Sequence, residues 1–148
     1  MRFSKKKIVL TFITSDKCYA PSNKFLNESA PLKGIDPYSA SKSIQEILVN
    51  SYFESFFKKD NLINICTVRS GNIYGGGDFT PGRLIPDLIK SCKENKSLSI
   101  RNKNGVRPWQ YVLDSIFGYL LACQFSIDNF EYNSFNFGPN EKKIIKVI

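Results

Sequence analysis

The first apolar stretch is short and unbroken. Ile8 to Thr14 is rich in β-branched residues and reads as a strand of a parallel sheet, buried on both faces. Residues 15–36 are polar and carry several Pro, Asn and Ser, so they read as loop. Pro37 opens a helix, because the N–H that proline lacks has no partner in a first turn anyway. Ile44, Ile47, Leu48, Tyr52 and Phe56 then recur at helical spacing as far as Phe57, and "KKDN" ends the pattern. Leu62 to Arg69 is a second strand, "SGNIYGGGDFTPG" a glycine-rich loop, and "RLIPDLIKSCKEN" a second helix with Pro86 near its start. "SLSIRNKNGVRPWQYV" reads as short strands joined by an "NKNG" turn. Asp114 reads as the N-cap of a third helix reaching Gln124, with Ile116, Leu120, Leu121 and Phe125 on one side. A short strand, Ser134 to Phe137, precedes "GPNEKK". The alternation of strands and helices predicts an α/β layer architecture without internal repeats.

Composition narrows the picture. A chain of 148 residues with 42% hydrophobic residues can bury a core as one domain, and its many Phe and Tyr argue against disorder. Lys and Arg outnumber Asp and Glu by 21 to 13, a net charge of +8. Part of that excess is local, at Lys5, Lys6 and Lys7 and again at Lys142, Lys143 and Lys146. It favours an anionic partner without choosing among nucleic acid, a membrane surface and a phosphorylated metabolite. A basic α/β binding protein without enzymatic activity therefore stands as one alternative. Nucleic acid ranks low as its partner, because the charge gathers at the ends and no nucleic-acid motif is present. Cys18, Cys66, Cys92 and Cys123 are scattered, with neither metal-ligand spacing nor a disulfide framework, so a reducing, cytoplasmic setting and no metal are expected. No apolar run approaches the roughly 20 residues of a membrane helix. Histidine is absent, which leaves acid–base work to Asp, Glu, Tyr, Lys or Cys.

Three stretches carry candidate chemistry. In "YSASK", Tyr38 and Lys42 stand one helical turn apart on one face. The ammonium would favour a tyrosinate able to accept a proton from a sugar hydroxyl. Alone the pair is also what an ordinary helix shows. In "TSDKCY", Ser15 and Asp16 follow the first strand, where open parallel sheets bind ligands. Ser15 would hydrogen-bond a substrate hydroxyl and Asp16 would act as general acid, or Asp16 caps a turn. In "GNIYGGGD", Asn72 and the glycine amides suit a ligand oxygen or phosphate, or the glycines serve positive φ. Arg83 and Arg107 are candidates for a diphosphate because the guanidinium fork is rigid. Trp109 fits a core position as well as a ligand contact. No stretch has the G-x-G-x-x-G turn between strand and helix that holds a dinucleotide pyrophosphate.

With "TSDKCY", "DPYSASK", "RSGNIYGGGD", "RLIPDLI", "RPWQYVLD" and "FNFGP" in this order, the chain resembles the extended short-chain dehydrogenase/reductase superfamily of NAD-dependent epimerases and dehydratases. Within it the chain is most similar to the branch acting as 4,6-dehydratases on CDP-glucose. The resemblance covers nearly all 148 residues but only the middle of the family pattern. It implies a partial doubly wound, Rossmann-like fold, an incomplete domain over 1–148 without the glycine-rich βαβ half and with part of the substrate-binding region. It also implies NAD as cofactor, with Tyr38 as base and Lys42 tuning it, both at the nicotinamide ribose. Asp16 is then the acid for loss of the C6 hydroxyl, Ser15 a contact of the C4 oxygen, and Asn72, Arg83 and Arg107 holders of the nucleotide sugar. Water is lost to give CDP-4-dehydro-6-deoxyglucose, for deoxy-sugars of bacterial surface polysaccharide such as O-antigen lipopolysaccharide. Lys17 stands where dTDP-glucose relatives carry glutamate, which leaves the C5 base unassigned. Another epimerase or reductase of the superfamily is the enzymatic alternative. These 148 residues alone are expected to be inactive. A separately encoded N-terminal half and a homodimer through the helix of Tyr38 are the partners expected.

Overall fold

In the computed structural model, residues 6–22, 24–59, 62–100, 102–139 and 145–146 are described. In chain order the elements are β1 (Ile8–Ile13), a 3₁₀ turn (Asp16–Cys18) and α1 (Pro37–Tyr52), which continues as a wider π turn through Phe53–Phe57. After them come β2 (Ile63–Ser70), β3 (Ile73–Tyr74) and α2 (Leu84–Glu94). The chain goes on with β4 (Val106–Arg107), β5 (Gln110–Tyr111), α3 (Val112–Asp128), β6 (Asn133–Phe137) and β7 (Ile145–Lys146). The lysines at 5, 142 and 143 lie outside the described residues.

β1, β2 and β6 form a parallel sheet in that order, with Ile8 opposite Ile63 and Cys66 opposite Asn133. β2 is the fully buried centre. β1 has one neighbour among the described residues and so lies at the edge of this sheet. It is not buried on both faces as its apolar run predicts, and its last residue, Ile13, is 54% exposed. Because successive side chains of a strand point to opposite faces, β2 serves two layers. Ile65 packs with Val49 and Phe53 of the α1 segment, flanked by Leu10, Phe12, Phe57 and Tyr132. On the other face Cys66 and Cys123 of α3 share the Thr11 hydroxyl, at 3.3 and 2.8 Å. There the Asn64 amide donates to the carbonyls of Ser126 and Asn129, both at 2.7 Å, tying down the end of α3.

The helices differ from expectation in which side they bury. Ser39, Ser43, Glu46 and Val49 face inward on α1, whereas Ile44, Ile47, Leu48, Tyr52 and Phe56 are all more than half exposed. The period is helical, but the polar residues take the inner side because hydrogen bonds satisfy them there: the Ser43 hydroxyl donates to the Cys18 carbonyl at 2.7 Å. α3 begins at Val112 without a side-chain cap, so Asp114 is not its N-cap. It lies in the first turn, where a carboxylate favours the helix dipole. The helix runs four residues past Gln124, to Asp128. Its inner stripe is small, Ser115, Gly118, Ala122 and Ser126, and brings helix and sheet close. Ile116, Leu120, Leu121 and Phe125 point outward.

The "NKNG" segment does turn, with Gly105 N donating to the Asn102 carbonyl at 3.4 Å, but it does not join a hairpin. β4 pairs antiparallel with β7, and β5 pairs parallel with β3, which follows β2 directly. Non-local partners satisfy these short strands, a choice no local pattern encodes. Among the described residues no helix is long and apolar enough to cross a membrane.

Candidate active site at the strand ends

The carboxyl ends of β1 and β2 lie side by side because the strands are parallel. Ser15 and Asp16 leave β1 there, and Gly71 and Asn72 leave β2. Asp36 caps α1 at the same end. Its carboxylate accepts from the Ser39 amide at 3.1 Å and from the Ser39 hydroxyl at 2.5 Å. Those bonds hold the Asp36 carboxyl below the usual aspartate range, so Asp36 is a cap and a poor base. One turn of helix then presents Tyr38, 56% exposed, to the strand ends.

Ser15, Asp16, Tyr38, Asn72 and Arg83 line one cleft of about 400 Å³, with Lys17 and Asp36 on its wall. A second cleft of about 270 Å³ shares Asn72 and Arg83 and adds Asp78, Thr80 and Trp109. Such paired concave volumes with convergent polar groups suit a small elongated ligand. Ser15 is buried, accepts from the Lys17 amide at 3.2 Å and donates to Asp16 at 3.1 Å, so it both caps the 3₁₀ turn and orients the carboxylate. Lys42 holds its ammonium 5.9 Å from the Tyr38 ring centre and donates to Gln45 at 3.4 Å. Arg83 stands at the N-terminus of α2, where its backbone is extended. It is the one arginine on both clefts.

Six of the seven residues singled out from the sequence gather here: five on the cleft wall and Lys42 one turn behind Tyr38. Arg107 does not join them. It lies on β4, its guanidinium donates to the Val106 carbonyl at 2.9 Å, and it lines neither cleft. The glycine loop uses positive φ at Gly77 and Gly82, which meets the conformational account of its glycines. Its following aspartate, Asp78, is held below the usual range by the Thr80 amide. Sequence reasoning left Trp109 undecided and overlooked Asp36. The D-P step before a helix, an N-cap followed by Pro at the first turn, was the available signal for Asp36. Cys18, beside Asp16, is excluded as a nucleophile, because burial pushes its thiol up to about 12. Among the described residues no group of three or more His, Cys, Asp or Glu is placed to hold a metal.

The model of the NAD dependent epimerase/dehydratase family matches residues 1–138. A CDP-glucose 4,6-dehydratase of Salmonella typhimurium is 37% identical over 139 residues, which is 88% of this chain and 38% of that protein. A dTDP-D-glucose 4,6-dehydratase of Homo sapiens is 28% identical over 115 residues, 76% of this chain and 31% of that one. The chain therefore spans less than two fifths of the length of these relatives. Among solved structures, UDP-glucuronic acid 4-epimerase from Bacillus cereus, in complex with UDP-glucuronic acid and NAD, superposes with a TM-score of 0.79 at 24% identity. The match covers 94% of this chain and 42% of that one. dTDP-glucose 4,6-dehydratase from Bacillus anthracis, in complex with NAD, gives 0.70 at 23% identity, over 88% of this chain and 40% of that one. Both show the same α/β, Rossmann-like fold.

Proposed function

The chain belongs to the NAD dependent epimerase/dehydratase family, and from that premise we propose that it carries the sugar-reacting part of a CDP-glucose 4,6-dehydratase. The observation that carries this reading is that Asp16, an acid, and Tyr38, a base, stand on one cleft wall with Ser15, Asn72 and Arg83. Both readings need a base at the C4 hydroxyl, the place of Tyr38, but only loss of water needs an acid for a leaving C6 hydroxyl, the place of Asp16. Similarity to a CDP-glucose 4,6-dehydratase supports the choice of nucleotide sugar.

Tyr38 is the base placed to accept the proton of the C4 hydroxyl, with the Lys42 ammonium one turn away on the same helix face. Ser15, whose one hydroxyl proton goes to Asp16 in the free chain, turns that proton to the C4 oxygen when sugar binds. Asp16 protonates the C6 hydroxyl as it leaves. The C5–H bond breaks in the same elimination, its proton going to a base that no residue here is assigned, and the hydride taken from C4 returns to C6. Arg83 and Asn72, shared by the two clefts, hold the diphosphate between sugar and base, and Trp109 closes the far wall. NAD, when bound, supplies the hydride acceptor and donor. Tyr38 and Lys42 are the residues of this chain that would hold its nicotinamide ribose, since an exposed phenol and an ammonium on one helix face suit two ribose hydroxyls. The 148 residues contain no glycine-rich pyrophosphate turn. On that ground these residues by themselves bind nucleotide sugar but hold NAD weakly and do not turn over.

The test combines calorimetry with product analysis. CDP-glucose should bind the purified chain, and Arg83→Ala should weaken binding at least tenfold. Product should form only when a polypeptide supplying the glycine-rich cofactor half is added, and it should be the 4-keto-6-deoxy sugar by NMR. A C4 epimer formed without loss of water would replace this reading with the epimerase alternative. Tight NAD binding and turnover by the 148 residues alone would overturn the division of labour.

A further inference from the structure

Beneath the cleft lies an ion pair that the chemistry above does not use. Arg69 and Glu46 meet at 2.7 Å, with 4% and 0% of their side chains exposed. Glu46 sits on α1 one turn beyond Lys42 and two beyond Tyr38. Its carboxylate accepts from the Thr14 hydroxyl, from Thr67 at 2.8 Å and from Tyr132 at 3.3 Å, besides Arg69. Arg69 donates onward to the Tyr19 hydroxyl at 2.7 Å, the Glu28 carbonyl at 3.0 Å and Ser134 at 3.0 Å, with its guanidinium 5.1 Å from the Tyr19 ring centre.

Thr14 and Tyr19 are the residues immediately before and after the turn Ser15–Cys18. Glu46 therefore grips the turn at its start and Arg69 grips it at its end. Ser43, on the same helix face, binds its last carbonyl, that of Cys18. A buried ion pair is seldom a gain in stability over apolar packing, because desolvation offsets its attraction. What a fork of directed hydrogen bonds does provide is a fixed geometry.

We propose that Glu46 and Arg69 are positioning residues that clamp the Ser15–Cys18 turn to helix α1 and so set where Ser15 and Asp16 stand relative to Tyr38. The importance of that placement rests on the dehydratase reading; the clamp itself does not.

Hydrogen exchange and ¹⁵N spectra of the whole chain test the clamp without turnover. In Glu46→Gln, exchange over residues 14–20 should accelerate at least tenfold more than over residues 119–128, on the opposite face of the sheet. The amide signals of Asp16 and Lys17 should shift while that of Ala122 stays. Thr14→Val removes one grip and keeps the ion pair. Its acceleration should be confined to residues 14–20, and this variant decides alone if Glu46→Gln does not fold. Equal acceleration on both faces would mean that the pair only adds stability, and unchanged exchange at 14–20 would mean that it does not hold the turn. Either result overturns the clamp and leaves the dehydratase reading standing. A C4 epimer in the product test would overturn that reading and leave the clamp.

Discussion

The Lys42 ammonium stands 5.9 Å from the centre of the Tyr38 ring, on the same side of one helix. Residues four apart share a helix face, so the backbone of α1 keeps the ammonium and the phenol on one side of the helix. Tyr38→Phe removes the proton acceptor and leaves the helix intact, since the ring is more than half exposed. In the enzyme assembled with a cofactor half, kcat should fall about 10²- to 10⁴-fold, the usual share of one general base. The thermal midpoint of the chain should stay within a degree or two. An unchanged kcat would remove Tyr38 from the reaction.

Asp16→Asn separates the two enzymatic readings. It keeps the size of the side chain, and the Asn amide can still accept from the Ser15 hydroxyl. Loss of water should slow at least 10²-fold, the lower end of what one acid contributes, while exchange of the C4 hydrogen with the cofactor continues. The check is NMR of deuterium-labelled sugar. Equal slowing of both steps would mean that Asp16 acts in hydride transfer instead.

Removing one member of the Glu46–Arg69 pair leaves a buried charge without its partner. Arg69→Met should cost about 3–5 kcal/mol, read as a fall in the urea midpoint at pH 7. The pair also sets an acid limit. Burial alone would raise the Glu46 carboxyl, but the hydrogen bonds from Arg69, Thr14 and Thr67 outweigh it and hold it below its ordinary value of 4.5. A folded pKa below the unfolded one means that the unfolded chain takes up the proton first. The stabilisation is therefore complete above pH 4.5 and is lost as pH falls through the folded value. The other groups facing this carboxylate, Tyr19, Tyr132 and Cys18, are raised by burial and do not titrate in acid. Glu46→Gln should flatten the acid limb of stability against pH, while the exposed Asp36 and Asp78 keep the remainder.

How far the molecule was legible depends on the reach of each interaction. β1 and β2 were legible because short runs rich in β-branched and apolar residues favour strands. Ser15, Asp16 and Asn72 share one cleft because parallel strands bring their carboxyl ends together, a rule of topology, and the start of α1 adds Tyr38 to it. The sidedness of α1 was not legible. Apolarity pointed to Ile44, Ile47 and Leu48, yet the inner face is polar and satisfied by Cys18, Thr14 and Arg69, all distant in sequence. One cue was present: an arginine inside the buried run "INICTVRS" requires a buried anion, and Glu46 on the preceding helix was the nearest acid with the right period. Arg107 lies off both clefts because its place follows from the pairing of β4 with β7, 38 residues apart at Arg107 and Ile145.

The outward faces of α1 and α3 should drive association. The accessible surface is 10,810 Å², against roughly 7,700 Å² expected of a folded monomer of 16.9 kDa. Ile44, Ile47, Leu48 and Tyr52 on α1 and Leu113, Phe117 and Leu120 on α3 contribute to the excess. The chain is expected to sediment above its monomer mass at micromolar concentration. Burial of each such side chain is worth about 1.5 kcal/mol or more. Ile44→Glu with Leu48→Glu should therefore weaken association at least tenfold if α1 is the contact. Leu120→Glu does the same if α3 is. A wild-type monomer throughout the concentration range would refute the expectation.

At Gly118 α3 packs closely against β6. A Cβ built there would lie 2.4 Å from the Phe137 ring, well inside contact distance. The ring has little freedom to withdraw, because Phe137 belongs to β6 and stacks edge-on against Tyr119 with centroids 5.5 Å apart. Tyr119 is itself held by a hydrogen bond from its hydroxyl to Ser70 at 2.7 Å. In an exposed helix Gly→Ala stabilises by up to about 1 kcal/mol. Here the overpacking cost of about 1–3 kcal/mol outweighs that gain, so Gly118→Ala should lower the urea midpoint. Pairing it with Phe137→Leu, which frees the space, should recover part of the loss in a double-mutant cycle. If Gly118→Ala raises the midpoint instead, α3 packs farther from β6 than these distances require.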